Sequence, residues 1–197
     1  MKKKYIAEVN EGLKRTGVIN NEILTESDLQ HLPDAVKNYL HYTGVVGKEK
    51  PVNVRIVFEG KIRSKPDAGW MVFKAEQYSF FDTVTRAFYI EASKMGIPAK
   101  GLHLYKKGTA TMVIKLAGLF KVVDAKGKEM NQGETVTVFN DMCFMAPAAL
   151  INKNIVWEEI DSLKVKAIYT NEGNTISATL YFNEKGELIN FISSDRY

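Results

Sequence analysis

One cysteine, Cys143, stands among 197 residues. It excludes an intrachain disulfide framework and any all-cysteine metal site, and it gives no sign of an oxidising compartment. No apolar run reaches the roughly 18 residues that a membrane-spanning helix needs. A basic stripe interleaved with stacking aromatics is missing too, so nucleic acid is not an expected partner. The net charge of +4 and the pI near 9.0 come from lysines scattered over many positions, apart from Lys2 to Lys4. The histidines His31, His41 and His103 show neither HxH nor HExxH spacing nor a matched carboxylate, so no metal and no cofactor is expected. Dinucleotide, P-loop, nucleophile-elbow and kinase signatures are all absent. The Met-Lys-Lys-Lys start resembles the head of a signal peptide, but no apolar segment follows, because Glu8, Asn10, Glu11 and Lys14 interrupt it. A cytoplasmic protein is expected, or one of the cell envelope if the chain has been trimmed.

What is present is alternation. Val54, Ile56, Phe58 and Ile62 take turns with Arg55, Val57, Glu59, Lys61 and Arg63, the period of a strand with one buried face. Further strands are read over 70–81, 84–93, 102–105, 109–116, 120–123, 155–160, 163–170, 175–182 and 188–192. Ile97 to Gly101 reads as a loop, and Gly108 as a bulge. Roughly eight to ten strands joined by short turns make an antiparallel meander with no parallel βαβ unit.

Three segments break that period. Ile6, Val9 and Leu13 share one side of a short amphipathic helix. Pro33 opens a second helix with Val36, Tyr39 and Leu40 buried and Gly44 ending it. The third, over 134–146, separates two sheet-forming halves and is the most apolar stretch of the chain. Val136, Phe139, Cys143 and Ala146 share its face, with Met142 and Leu150 beside them. Asn131 and Glu134 have capping-box spacing, and Pro147 stops the helix. The expected fold is α+β and mainly β. It is a large curved antiparallel sheet, an open or half barrel, with N-terminal helices and one covering helix near 134–146. A single domain is expected over 1–197, helical over 1–44 and sheet-forming with an inserted helix over 52–197.

The candidate chemistry is sparse. Cys143 on an apolar helix face reads as a small core hydrophobe. On strand 70–81, Lys74, Glu76 and Tyr78 point one way and Met71, Phe73, Ala75 and Gln77 the other. Arg86 on the next strand is a candidate partner for Glu76. Asp141 is the one charge within the apolar part of the third helix, reaching either solvent or an arginine, Arg86 or Arg196. The final Ser193 to Tyr197 reads as a frayed end or as the start of more chain. The candidate ligand-binding residues are Trp70, Phe73, Glu76, Gln77, Arg86, Phe88, Phe139, Asp141 and Met142, with no catalytic residue assigned.

Several longer pieces carry a resemblance. They are Leu32-Pro33-Asp34-Ala35-Val36-Lys37-Asn38-Tyr39-Leu40 with Gly44-Val45-Val46-Gly47, then Trp70 with Phe73-Lys74-Ala75-Glu76-Gln77. Gly118-Leu119-Phe120, Asn131-Gln132-Gly133-Glu134, and Asn140-Asp141-Met142-Cys143 with Ala146-Pro147-Ala148-Ala149-Leu150 follow, and Asp195-Arg196-Tyr197 closes the match. Together they resemble, over about residues 29–197, a bacterial family known only as a domain of unknown function. Such proteins continue past the Asp-Arg-Tyr with further strands; by that resemblance the sheet here stays open or the chain is a portion of a longer one. In architecture alone, the chain resembles the LolA-like lipoprotein carriers, incomplete barrels whose helices plug an apolar cavity.

Three functions remain open at this point. The first is a module binding an apolar small molecule or lipid, motivated by large apolar groups on both sides of strands 70–81 and 84–93. The second is an enzyme built on Glu76, Arg86 and Asp141. The third is a structural or partner-binding domain.

Overall fold

The computed structural model describes every residue except Asn21, Ser64, Met95 and Tyr197, and the side chain of Lys94 also lies outside the described part. The chain divides into two compact units, one of Met1–Ile19 with Asn53–Asn131 and one of Asn20–Val52 with Gln132–Tyr197.

The first unit holds helix α1 (Lys2–Thr16) and strands β1 (Asn53–Ile62), β2 (Met71–Phe80), β3 (Thr85–Lys94), β4 (Ile97–Lys106), β5 (Thr109–Leu116) and β6 (Phe120–Lys126). These strands pair in sequence order as a six-stranded antiparallel meander. Two-residue connections suit such ladders when both residues take positive φ, because that turn follows the strand twist. Lys107 and Gly108 do this, with φ of 50° and 68°. Gly108 is therefore a turn residue and not the expected bulge. The stretch 97–101, expected as a loop, is the first half of β4, and Ala99 and Gly101 pair with Leu116 and Ile114. Gly101 hid this from the alternation. A side chain there would stand 2.7 Å from Ile90 Cγ2, so the site accepts only a hydrogen.

Helix α1 buries Tyr5, Val9, Gly12 and Thr16, which repeat at helical spacing. The expected face of Ile6, Val9 and Leu13 is thus rotated by about one residue, and Ile6 and Leu13 are exposed. Gly12 explains the choice. A Cβ there would meet the Phe80 ring at 2.3 Å, so only glycine lets the helix come this close to the sheet. Tyr5 stacks on Tyr89 at 5.6 Å between centroids, and Val9 joins Ala87, Leu102 and Leu104 in one core. Arg15 is bonded to Asp82, and Lys106 reaches Glu8 and Glu11, tying the helix to both neighbouring turns.

The second unit holds α2 (Asp34–Tyr42), most of α3 (Lys128–Met145), and strands β7 (Ile155–Asp161), β8 (Lys164–Asn171), β9 (Asn174–Phe182) and β10 (Leu188–Ile192) in the order β10-β9-β8-β7. Its alternation is clean. Val165, Ala167 and Tyr169 of β8 and Ile176, Ala178, Leu180 and Phe182 of β9 are buried, while the residues between them are not. Helix α3 lies on that buried face. Phe139 stacks on Tyr169 at 5.6 Å and contacts Phe191 at 5.8 Å and Trp157 at 6.3 Å. Tyr39 of α2 packs on Phe182 at 5.7 Å. Helix α2 ends as expected: Gly44 has φ of 67° and its N–H donates to the His41 carbonyl. Helix α3 begins earlier than expected. Asn131 lies inside it, its amide donating to the Gly127 carbonyl while its side-chain oxygen accepts from Ala110 N–H, so it is not a cap. The helix stops at Met145, ahead of Pro147.

The fold is mainly β, with unclosed antiparallel sheets, and in chain order the expected helix falls after β6 and before β7.

Candidate functional site

The six-stranded sheet has two unlike faces. One carries Tyr78, Ala87, Tyr89, Leu102 and Leu104 against α1. The other is ordered into rows by the strand register. Val54, Ser79, Arg86, Tyr105 and Ala110 form the first row, and Ile56, Gln77, Phe88, His103 and Met112 the second. Phe58, Ala75, Ile90, Gly101 and Ile114 form the third, and Gly60, Phe73, Ala92, Ala99, Leu116 and Phe120 the fourth.

Burial falls along these rows. Tyr105 and Ala110 in the first are wholly buried, whereas Leu116 and Phe120 in the fourth are 37% and 68% exposed. Between them Ile56, Phe58, Phe73, Phe88, Ile90, Met112 and Ile114 are half-buried. A continuous apolar surface of this breadth is unusual on a sheet, because water contact costs about 25 cal/mol for each Å² of apolar area. An open concavity of about 360 Å³ near the strand ends is lined by Val72, Lys74, Glu91, Ser93, Pro98 and Lys100, whose register puts them on the α1 side of the sheet, with Phe73, Ala92 and Ala99 of the row between them.

The buried end is polar. Gln77 is 1% exposed and donates from Nε2 to Ser79 Oγ at 3.0 Å. The Arg86 guanidinium lies 5.2 Å from the centre of the Phe88 ring. Burial holds His103 down at about pKa 4, and the Arg86 charge pushes the same way, so the imidazole is neutral at pH 7. His103 is a sheet-face residue, though not a surface one.

The sequence-derived candidates separate on this frame. Phe73, Gln77, Arg86 and Phe88 share the apolar face. Glu76 is on the opposite face, where it accepts from Arg55 Nε at 2.5 Å. The pairing of Glu76 with Arg86 is therefore wrong: alternation sends them to opposite sides of the sheet, and Arg55, paired with Tyr78 on the neighbouring strand, reaches the carboxylate diagonally on the Glu76 face. An active centre using both carboxylate and guanidinium is excluded by the same geometry. Trp70 lies just before β2, exposed, with the Arg63 guanidinium 4.7 Å above its ring. Phe139 and Met142 are wholly buried in the second unit, in whose core Phe139 is an aromatic hub. Asp141 is half-buried on α3. Cys143 is buried, and desolvation raises its thiol far above the ordinary range, with the Asp141 charge adding to the effect. That is the chemistry of a core residue, not of a nucleophile.

Two sets of contacts escaped the sequence reading. The Tyr39 hydroxyl donates to the Cys143 carbonyl at 2.5 Å, and burial lifts its pKa to about 12. After β10, Asp195 and Arg196 are held by hydrogen bonds and are not frayed. Asp195 accepts from Ser177 N–H at 2.6 Å and from Gln132 Nε2 at 3.1 Å, and Arg196 donates to Thr137 Oγ1 at 3.2 Å. Tyr197 lies outside the described residues. The signal was there in an Asp-Arg pair following an apolar strand, but partner choice at such range is invisible in one dimension. Among the described residues, no three acidic, histidine or cysteine side chains come together as a metal would require.

These contacts join pieces that are far apart in the chain: Tyr39 meets Cys143, and Gln132 meets Asp195. One family model spans all of them. The chain belongs to DUF6544, a family of unknown function. The match covers residues 22–197, which takes in every strand of both sheets together with α2 and α3, while α1 precedes it. No curated protein and no solved structure matches the chain.

Proposed function

We propose that this protein binds a lipid-like or other apolar ligand on the second face of its six-stranded sheet. The observation that carries the reading is the half-buried apolar surface running from Ile56 and Phe88 to Phe73 and Ile114. A sheet face serving only as core is buried throughout, as in the second unit, where Ala167, Leu180 and Phe182 are at most 3% exposed. A face serving only as surface is polar. This one is neither, and an acyl chain or flat apolar molecule is the chemistry it suits.

Native mass spectrometry of the purified protein tests this directly, with apolar-dye displacement as the second readout. Co-purifying lipid is expected, and Ile114→Asp and Phe73→Asp should each weaken dye binding about tenfold, the order of one buried side chain's transfer energy. A lipid-free protein whose dye binding ignores both substitutions would end the proposal.

A further inference from the structure

Antiparallel order places three connections of the six-stranded sheet at one end: 63–70, 95–96 and 117–119. This end exposes large apolar side chains. Leu119 is 78% exposed, Phe120 68%, Ile97 57% and Trp70 56%. The turns at the other end, 81–84 and 107–108, expose none among the described residues. Isolated exposed apolar groups are ordinary, but four projecting from neighbouring tips of one sheet end are not.

The charge around them has one dominant sign. Lys100 pairs across the strands with Lys115, and Lys115 with Lys121. Like charges directly opposite each other are destabilising. Glu91 and Asp124 form ion pairs with Lys100 and Lys121. No acidic partner is found for Lys115 among the described residues, and α1 brings Lys2 and Lys3 to the same place. Lys2, Lys3, Lys100 and Lys115 surround a concavity of about 350 Å³ with Met1, Tyr89 and Gly118.

We infer that this end of the sheet docks on the surface of an anionic lipid bilayer, with Leu119, Phe120, Ile97 and Trp70 entering the headgroup layer and the lysines meeting lipid phosphates. A flat hydrated anionic surface fits what is present. Three separate tips carry the four apolar side chains, where a peptide partner would need a groove. The aliphatic stems of lysine lie along apolar ground while their ammonium groups reach outward. Trp70, capped by Arg63, is an aromatic of the kind that settles at the membrane interface. The inference stands on the tips and the lysines alone. Only its consequence, that a ligand on the apolar face would pass to or from the bilayer at Leu116 and Phe120, rests on the proposed function.

The test is co-sedimentation of the whole protein with vesicles of phosphatidylcholine alone and of phosphatidylcholine with about a third phosphatidylglycerol. Partition should favour the anionic vesicles at least about tenfold, each engaged lysine contributing on the order of 1 kcal/mol. It should fall as salt is raised from about 0.1 to 1 M, which shortens the screening length from about 10 to 3 Å. The tip variant Leu119→Asp and the variant Lys115→Glu should each lose most of the binding while keeping the wild-type urea midpoint. Val18→Asp, on an exposed residue away from the sheet tips, should keep it. Equal partition onto neutral vesicles, or full binding by the tip variant, overturns the inference. So does binding to soluble polyglutamate with none to vesicles, which would assign the patch to an acidic protein. Dye displacement in solution separates the two ideas: the tip variant should displace dye normally, so its failure on vesicles leaves the ligand reading standing.

Discussion

The two units use the same parts differently. Each sets helix against antiparallel sheet, yet the four-stranded sheet shows strict alternation and the six-stranded one does not. In β8 and β9 every second residue is buried, all of them apolar but Asn171, and the rest are polar or only partly covered. In β2 and β3 both faces carry large apolar groups: Tyr78, Phe80 and Tyr89 on the helix face, Phe73, Phe88 and Ile90 on the other. The four-stranded sheet uses its apolar residues in a core. The six-stranded sheet has more than its core under α1 can use, and this surplus is what marks the candidate site.

The sharpest way to break that comparison is to truncate matched aromatics. Phe139→Ala should cost about 3–5 kcal/mol, since it empties the wholly buried centre of the Tyr169, Trp157 and Phe191 cluster. Phe73→Ala, on the half-buried face, should cost only about 1 kcal/mol. Urea unfolding followed by Trp157 fluorescence for the first and by circular dichroism for the second measures both. Equal costs would mean that the six-stranded sheet's second face is ordinary core.

Acid should act on the first unit through His103. Its folded pKa of about 4 lies below the unfolded value of about 6.5. The unfolded chain therefore binds more protons between these values, and stability is lost as pH falls through that window, by as much as about 3 kcal/mol near pH 4. His103→Gln should remove this part of the pH dependence. Unfolding midpoints at pH 7 and pH 4.5 that shift equally in both proteins would refute the burial argument.

Gly12→Ala should cost about 1–3 kcal/mol, because its methyl must displace the Phe80 ring. A neutral result in thermal melts would show that α1 is loosely held. Tyr39→Phe should lose about 1 kcal/mol, the worth of one hydrogen bond to the Cys143 carbonyl. The same substitution should leave Cys143 unreactive toward thiol reagents in the folded protein. Labelling before unfolding would place the thiol outside the core.

Much of the secondary structure was legible. Alternation located the strands, Pro147 and Gly44 marked helix ends, and Cys143 read correctly as core. The misreadings share a cause. Gly101 and Gly12 look like breaks in a pattern because a glycine adds no apolar mark. In three dimensions each is where another side chain, Ile90 or Phe80, needs the room. Asn131 has the right spacing for a cap, but the helix had already begun at Lys128. Glu76 and Arg86 look like partners when only strand adjacency is considered. Register parity puts them on opposite faces, and Arg55 takes the carboxylate.

The sequence by itself determined the local periods, the hairpin order and the identity of the apolar groups, because backbone sterics and side-chain alternation act between near neighbours. Tertiary structure alone decided which face of α1 is buried, which sheet each strand joined, and where Asp195 and Tyr39 found their partners. Those choices depend on packing and hydrogen bonding between residues distant in the chain, and no single stretch of sequence contains both sides of such a contact.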